Sequence, residues 1–137
     1  MTNSNFYIST DKSAMDVDMI TDFLSRKTYW ARGRSREAVE RSIQNSLSFG
    51  VYTNDGVQVG FARVVTDYTI FAWLMDVFIL ETYRGKGLSK MLMTEIMAHP
   101  ELQTLKRWGL NTNDAHTLYE KFGFRGLSHP EIMMEKL

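Results

Sequence analysis

The stretch VFILETYRGKGLSK, residues 77–90, constrains the fold more than any other part of the chain. It opens as an apolar strand pattern, passes through a turn that contains Gly85 and Gly87, and continues with apolar residues at helical spacing. Glycine allows positive φ and close approach of other groups to the backbone. Because a helix that begins here presents unpaired N–H groups with a partial positive charge, this junction suits a phosphate.

The part of the chain before residue 49 is predicted to hold one strand and two helices. FYIS, residues 6–9, is a short strand candidate. The first helix is predicted from about Asp16 to Arg26, and Ser35 can cap the second. Their apolar stripes are Val17, Ile20, Phe23 and Leu24 in the first helix and Val39, Ile43 and Leu47 in the second.

Residues 49–80 predict three consecutive antiparallel strands, because they hold runs of β-branched and aromatic residues separated by turn residues. Asn54-Asp55-Gly56 is a strong hairpin signal, and Thr66-Asp67 indicates a second turn.

The part of the chain after the glycine turn predicts helix, strand, helix and strand. The first helix ends at His99-Pro100, a strand follows at residues 106–111, and Gly123 closes a short second helix. The tail, residues 131–137, is a candidate edge strand. Strands joined by a helical crossover are parallel neighbours, so the strand before the glycine turn should lie beside residues 106–111. The order predicts one α+β domain over residues 1–137.

Composition excludes several classes of site and partner. There is no cysteine among the 137 residues, which excludes disulfides, thiolate metal sites and a cysteine nucleophile. Basic and acidic residues both number 16, so no net charge favours nucleic acid or an anionic membrane. No apolar run approaches the roughly 20 residues of a membrane span, and the first residues lack signal-peptide patterning. We therefore expect a cytoplasmic protein without a membrane or nucleic-acid partner and without a metal.

Two glycines one residue apart are a weak signal alone, because turn glycines are common. A Walker loop is excluded because the chain contains no G-x-x-x-x-G-K followed by Ser or Thr. A dinucleotide fingerprint also fails, since the third glycine is missing. The second half of the chain adds specificity: NTNDAHTLYEKFGF, residues 111–124, places Tyr119 on a short helix after the strand predicted beside the glycine turn.

With both stretches, the sequence resembles the GNAT superfamily of acyl-CoA-dependent N-acyltransferases. Residues 83–88, YRGKGL, match the family's Q/R-x-x-G-x-G/A loop, and residues 115–124 match its A-x-x-L-Y-x-x-x-G-F segment. Two positions depart from the pattern, since Thr82 replaces the usual Gln or Arg and Thr112 replaces an Asn. The resemblance implies a mixed, mostly antiparallel sheet with helices on both faces and a splayed parallel strand pair that holds the cofactor.

The resemblance also implies acetyl-CoA as cosubstrate and assigns residues to it. Backbone N–H groups of the glycine turn would bind the pyrophosphate, and the splayed strand would bond the pantetheine arm at Val77 and Ile79. The N–H near Val77 would polarise the thioester carbonyl. The implied cofactor-binding residues are Val77, Phe78, Ile79, Arg84, Gly85, Lys86, Gly87, Leu88, Ser89, Asn113 and Lys121.

Acetyl transfer to an amine needs an acid and a base. Tyr119 is the implied acid for the departing thiolate, and the alternative is a tyrosine that only packs under Gly123 and Phe124. No acid is expected on the face of the strand that carries Trp73, because strand alternation turns Asp76 to the opposite face. His116 and a water chain stay open as bases, and none is assigned.

The loop TYWARGRS, residues 28–35, is the predicted acceptor site because it combines aromatic faces with arginine forks. The predicted substrate-binding residues are Tyr29, Trp30, Arg32, Phe71 and Trp73. The expected acceptor is a small-molecule or peptide amine, and an aromatic or anionic group on it would suit the loop. A plain surface loop with one anchoring tryptophan is the alternative.

Two other functions stay open at this point. A catalytically silent acyl-CoA sensor would keep the glycine turn without acceptor turnover. A nucleic-acid module would use the arginines and aromatics of residues 26–36. A homodimer is compatible with the sequence.

Overall fold

A computed structural model of the protein describes residues 5–137. Its helices and strands are β1 (Phe6–Ser9), α1 (Val17–Lys27), α2 (Arg36–Gln44), β2 (Leu47–Thr53), β3 (Gln58–Thr66), β4 (Phe71–Ile79), α3 (Leu88–Ala98), β5 (Arg107–Gly109) and α4 (His116–Glu120). The predicted order of elements is confirmed as far as α4. Leu47 begins β2 instead of extending α2, because Asn45 already caps that helix.

Side-chain caps fix the starts of the first two helices, near Asp16 and at Ser35 as predicted. The side chain of Asp16 accepts a hydrogen bond from the N–H of Met19, and Ser35 does the same for Ala38. Each satisfies an N–H group that the helix itself leaves unpaired. No helix within residues 5–137 has the length and apolar character to cross a bilayer.

The sheet has the order β1-β2-β3-β4-β5, and only the β4–β5 pair is parallel. That pair joins Phe71–Trp73 to Arg107–Gly109, after which the two strands separate. The rest of β4 therefore presents an unpaired edge toward β5. The predicted fold class, with its splayed parallel pair, is confirmed.

Helices cover both faces of the sheet and divide the buried core in two. On one face, α3 and α4 pack on the sheet around Leu74, Leu92 and Ile96. On the other, α1 and α2 pack on Phe61 and Phe78.

A bulge interrupts the pairing of β3 with β4. Phe61 lies opposite Phe78, yet Arg63 lies opposite Met75, so β4 carries an extra residue between these pairs. Asp76 sits in this bulge with φ of 56°, a conformation that Asp tolerates better than most residues. The bulge changes which side chains of β4 share a face.

The predicted edge strand at residues 131–137 is wrong. Pro130 starts a short 3-10 turn that ends at Ile132, and the following residues have no regular structure. Met134 is 92% exposed, so the tail has no buried face to define a register. Its nearest sheet edge, β5, is only three residues long and offers little to pair with.

Candidate active site

The glycine turn connects β4 to α3 as an open surface of backbone. Gly85 and Gly87 have φ of 79° and 77°, and a Cβ on either would meet nothing within 4 Å. Gly87 is the N-cap of α3, and no side chain caps the helix. The first helical N–H groups, from Leu88 onward, therefore point into this turn. Arg84 ties the turn to the strand, because its Nε donates to the carbonyl of Ile79 at 3.1 Å.

The predicted pantetheine positions lie on the unpaired part of β4. Val77 is half-buried and lines the cleft between the separated strands, whereas Ile79 is buried against α3. The ring of Phe78 stacks on Phe23 at 4.1 Å in the α1 core. Phe78 can therefore face a cofactor only with its backbone.

A cleft of about 770 Å³ opens where β4 and β5 separate. Its volume is in the range of small-molecule sites. The loop between α1 and α2 forms one wall, and the β5–α4 loop forms the other. The side chains that matter for chemistry are Tyr29, Trp30, Arg34, Trp73, Asp76, Val77, Asp114 and Tyr119.

Tyr119 lies at the cleft with only 8% of its surface exposed. Burial raises the pKa of its phenol to about 12, and the nearby carboxylate of Asp114 adds to the shift. The hydroxyl is therefore protonated throughout the neutral range. It forms no hydrogen bond with any of residues 5–137. The ring meets Phe124 edge-on at 6.1 Å, so packing and exposure to the cleft coexist.

The expectation that Asp76 faces away from the side of Trp73 is wrong, because the bulge turns it to the same side as Met75. Its Oδ2 accepts hydrogen bonds from Nη1 of Arg34 and Nε of Arg63, both at 2.7 Å. Its Oδ1 accepts one from Nε1 of Trp30 at 2.9 Å. Both carboxylate oxygens are engaged, so Asp76 anchors the wall of the cleft instead of serving as a base.

The loop of residues 28–35 is held over the cleft at two points. Tyr29 accepts a hydrogen bond from the backbone N–H of Asn113 through its hydroxyl at 3.1 Å, and Trp30 reaches Asp76. The two rings meet edge-on at 5.0 Å. Arg32 lies on the exposed turn outside the cleft, whereas Arg34, another arginine of the predicted acceptor loop, lines it.

A second cavity of about 480 Å³ lies on the outer side of β5. It shares Trp73 and Tyr119 with the cleft. Phe71 lines this cavity and stacks on Trp73 at 6.1 Å, so Phe71 does not face the cleft itself. His116 also lines this cavity and not the cleft, which separates it from the position expected of a base.

The remaining predicted residues occupy the rims. Lys86 and Lys121 are exposed, and Lys121 follows α4 outside both cavities. Asn113 lines the cleft, but Tyr29 occupies its backbone N–H. Thr112, which departs from the family pattern, accepts a hydrogen bond from the N–H of Ala115 and so steadies the start of α4. No cluster of three or more potential metal-ligating side chains occurs in the described part of the chain.

Comparison with known proteins places this geometry among acetyltransferases. A family model described as "Acetyltransferase (GNAT) domain" matches residues 45–126. A crystal structure from Xanthomonas campestris pv. campestris, provisionally named as an acetyltransferase of the GNAT family, is 45% identical. The match covers 100% of this chain and 94% of that chain, with a TM-score of 0.95.

Two further matches are more distant. A Gibberella zeae protein provisionally named as an acetyltransferase is 25% identical over 146 residues, covering 90% of this chain and 81% of its own. A Clostridium acetobutylicum crystal structure with acetyl-CoA has a TM-score of 0.70 at 13% identity, covering 97% of this chain and 95% of that one. This last likeness concerns the fold alone.

Proposed function

Because the chain belongs to the GNAT family of acetyltransferases, we propose that it moves an acetyl group from acetyl-CoA to a primary amine by direct attack in a ternary complex. The observation that carries the proposal is the unpaired edge of β4, which runs from the cleft at Tyr119 to the glycine turn. An extended thioester needs such an edge to be held by backbone hydrogen bonds.

The glycine turn would hold the pyrophosphate of acetyl-CoA. Two observations support this assignment: the open space at Gly85 and Gly87, and the N-terminus of α3, which no side chain caps. Exposed Arg84 and Lys86 add positive charge beside the turn. Backbone groups at Val77 and Ile79 would bond the pantetheine arm, and the N–H near Val77 would stabilise charge on the thioester oxygen.

Tyr119 would donate a hydrogen bond to the thioester sulfur. The amine nitrogen forms a bond to the carbonyl carbon, the carbon–sulfur bond breaks, and the thiolate leaves with the electron pair. The pKa of Tyr119 is about 12, whereas a thiol titrates near 8.5, so complete proton transfer is uphill by about 5 kcal/mol. The hydrogen bond to the developing thiolate therefore supplies the effect of Tyr119, and solvent supplies the net proton.

The amine must be neutral when it attacks, so its ammonium form first gives one proton to water. The nitrogen gives a second proton to water once it is bonded to the carbonyl carbon. Asp76 is engaged by Arg34 and Arg63, and His116 lines the other cavity. The aromatic rings of Trp30 and Trp73 would bound the acceptor in the cleft.

The decisive experiment is an acetyl-CoA turnover screen that measures released thiol with amino acids, polyamines, aminoglycosides and peptides as acceptors. Stoichiometric N-acetylated product, identified by mass spectrometry, supports the proposal. Thermal stabilisation by acetyl-CoA without any acetylated amine would instead favour the acyl-CoA sensor, because binding to the folded state alone raises the melting temperature. Absence of both effects would contradict acetyl-CoA binding itself.

A further inference from the structure

Asp76, in the cleft wall, is shared by two arginines, Arg34 in the same wall and the buried Arg63 behind it. Arg34 and Arg63 both bond to Oδ2 of Asp76, whose side chain is fully buried. The side chains of Arg63 and Arg34 are only 11% and 22% exposed. Guanidinium groups stay charged in proteins. The cluster Arg34–Asp76–Arg63 therefore carries one net positive charge in a largely desolvated place, where an unpaired charge is costly.

Arg34 is the member of this cluster that can meet a ligand. It lines the cleft, and its guanidinium donates one hydrogen bond, to Asp76, within residues 5–137. A guanidinium has five N–H donors in a planar fork, so most of the fork is left for another acceptor. Asp76 fixes the orientation of the group from behind. This arrangement is preorganised for a planar anion.

The other charged side chain of the cleft lies on the opposite wall. Asp114 belongs to the β5–α4 loop and lies near Tyr119 of α4, where the thioester would be attacked. An ammonium group would be attracted to that wall and an anion to the wall of Arg34. Tyr29, Trp30 and Trp73 line the same cleft and offer aromatic surfaces to the rest of the acceptor.

From this distribution we infer that the acceptor is a small amine that also carries a carboxylate, such as a free amino acid, and that Arg34 binds the carboxylate. The single net charge of the cluster matches a carboxylate better than a phosphate monoester, which carries about −1.5 to −2 at neutral pH. The inference rests on the proposed acetyltransferase function and specifies its substrate class.

The test compares acceptors that differ only by the carboxylate. Tryptophan with tryptamine, phenylalanine with phenethylamine, and lysine with cadaverine are suitable pairs. For the wild-type protein, kcat/KM should be higher for the carboxylate member by about tenfold or more, because charge-assisted hydrogen bonds are the stronger ones. Equal kcat/KM within the acetylated pairs would overturn the inference and leave acetyl transfer intact. Failure to acetylate any amine would contradict the proposed function and the carboxylate site with it.

The Arg34→Gln variant tests whether Arg34 causes the preference for acceptors that carry a carboxylate. Its carboxylate preference should fall to about one through a raised KM for the carboxylate acceptor, while the KM for acetyl-CoA stays unchanged. Arg26→Gln is the matched control, because Arg26 is a solvent-exposed arginine on α1 paired with Asp22, and it should keep the wild-type preference. A preference that survives Arg34→Gln would assign the carboxylate to another residue and overturn the role of Arg34. The wild-type comparison needs no variant and decides the substrate class even if Arg34→Gln does not fold.

Discussion

The two ends of the cleft are built in different ways. At the glycine turn, a continuous run of backbone from Gly85 to Leu88 forms the surface, and side chains stay clear of it. At the acceptor end, Trp30, Arg34 and Arg63 come from separate elements and converge on Asp76. A surface of backbone depends on local conformation, whereas a converging cluster depends on the whole fold. The two ends should therefore respond differently to substitution.

The largest expected effect is loss of stability at the acceptor end. Asp76→Ala leaves two arginines without their shared partner, which typically costs about 3–5 kcal/mol of unfolding free energy. Alanine also tolerates the positive φ at this position less well. Asp76→Asn keeps the side-chain shape and the tolerance of positive φ, so it should lose less unfolding free energy than Asp76→Ala. Urea unfolding measures both.

Asp22→Ala is the control for Asp76, because Asp22 pairs with Arg26 on an exposed helix face. Its cost should be within about 0.5 kcal/mol, as for most exposed pairs. Equal costs for Asp22→Ala and Asp76→Ala would show that the cluster does not organise the acceptor end.

At the glycine end, Gly87→Val should remove ligand binding and leave the protein folded. The branched side chain would fill the space where the backbone meets a pyrophosphate. Loss of two hydrogen bonds to charged oxygens, at about 1.5–3 kcal/mol each, corresponds to a decrease of about 100-fold or more in acetyl-CoA affinity. Isothermal calorimetry measures it.

Gly56→Val matches the strain of Gly87→Val, because Gly56 has φ of 87° and open space at the β2–β3 turn. The melting temperature of Gly56→Val should fall about as much as that of Gly87→Val, because the backbone strain is the same. Its affinity for acetyl-CoA should stay at the wild-type value. If Gly87→Val bound acetyl-CoA normally, the backbone surface would not be the pyrophosphate site.

Tyr119→Phe tests the point where the two ends meet. Removal of the hydroxyl should lower kcat by roughly 10²-fold, with little change in the KM for acetyl-CoA, because the hydrogen bond strengthens in the transition state. The phenol, with a pKa near 12, stays protonated from pH 6 to 9, so its own titration does not shape this range. Because Tyr119 acts through a hydrogen bond from a phenol that stays protonated, the defect in kcat should have a similar size throughout pH 6 to 9.

Tyr68→Phe is the control, since Tyr68 is 42% exposed and lies outside both cavities. It should match the wild-type kcat across the pH range. A Tyr119→Phe variant with wild-type kcat from pH 6 to 9 would show that the hydroxyl has no part in catalysis and that Tyr119 only packs in the core.

The smallest expected effect concerns the aromatic wall. Trp30→Ala should raise the acceptor KM by about tenfold, which corresponds to about 1.4 kcal/mol, and leave the KM for acetyl-CoA nearly unchanged. Arg32→Ala should leave the KM values for the acceptor and for acetyl-CoA unchanged, because Arg32 lies outside the cleft. Equal increases in both KM values for Trp30→Ala would indicate a folding role for the tryptophan.

The same contrast explains what could be predicted from the sequence. Gly85, Gly87 and the caps Asp16 and Ser35 act through local conformation, so spacing alone located them. The role of Asp76 could not be predicted, because regular strand alternation places its side chain on the opposite face and only the bulge turns it toward the cleft. Arg32 and Arg34 are indistinguishable by composition, and only the position of Asp76 selects between them. The tail has strand-like composition, but strand formation needs a partner edge that the short β5 does not provide.

The short pairing of β4 with β5 also has a consequence for how the molecule opens. Three residue pairs hold β5 to the sheet, whereas β2 and β3 pair along most of their lengths. Because so few backbone pairs hold this seam, we expect it to be among the first parts of the sheet to open in the native state. A ligand lying between the separated strands would join both sides of the weakest seam. Acetyl-CoA should then slow amide hydrogen exchange at Trp108 and Gly109 far more than at Val59.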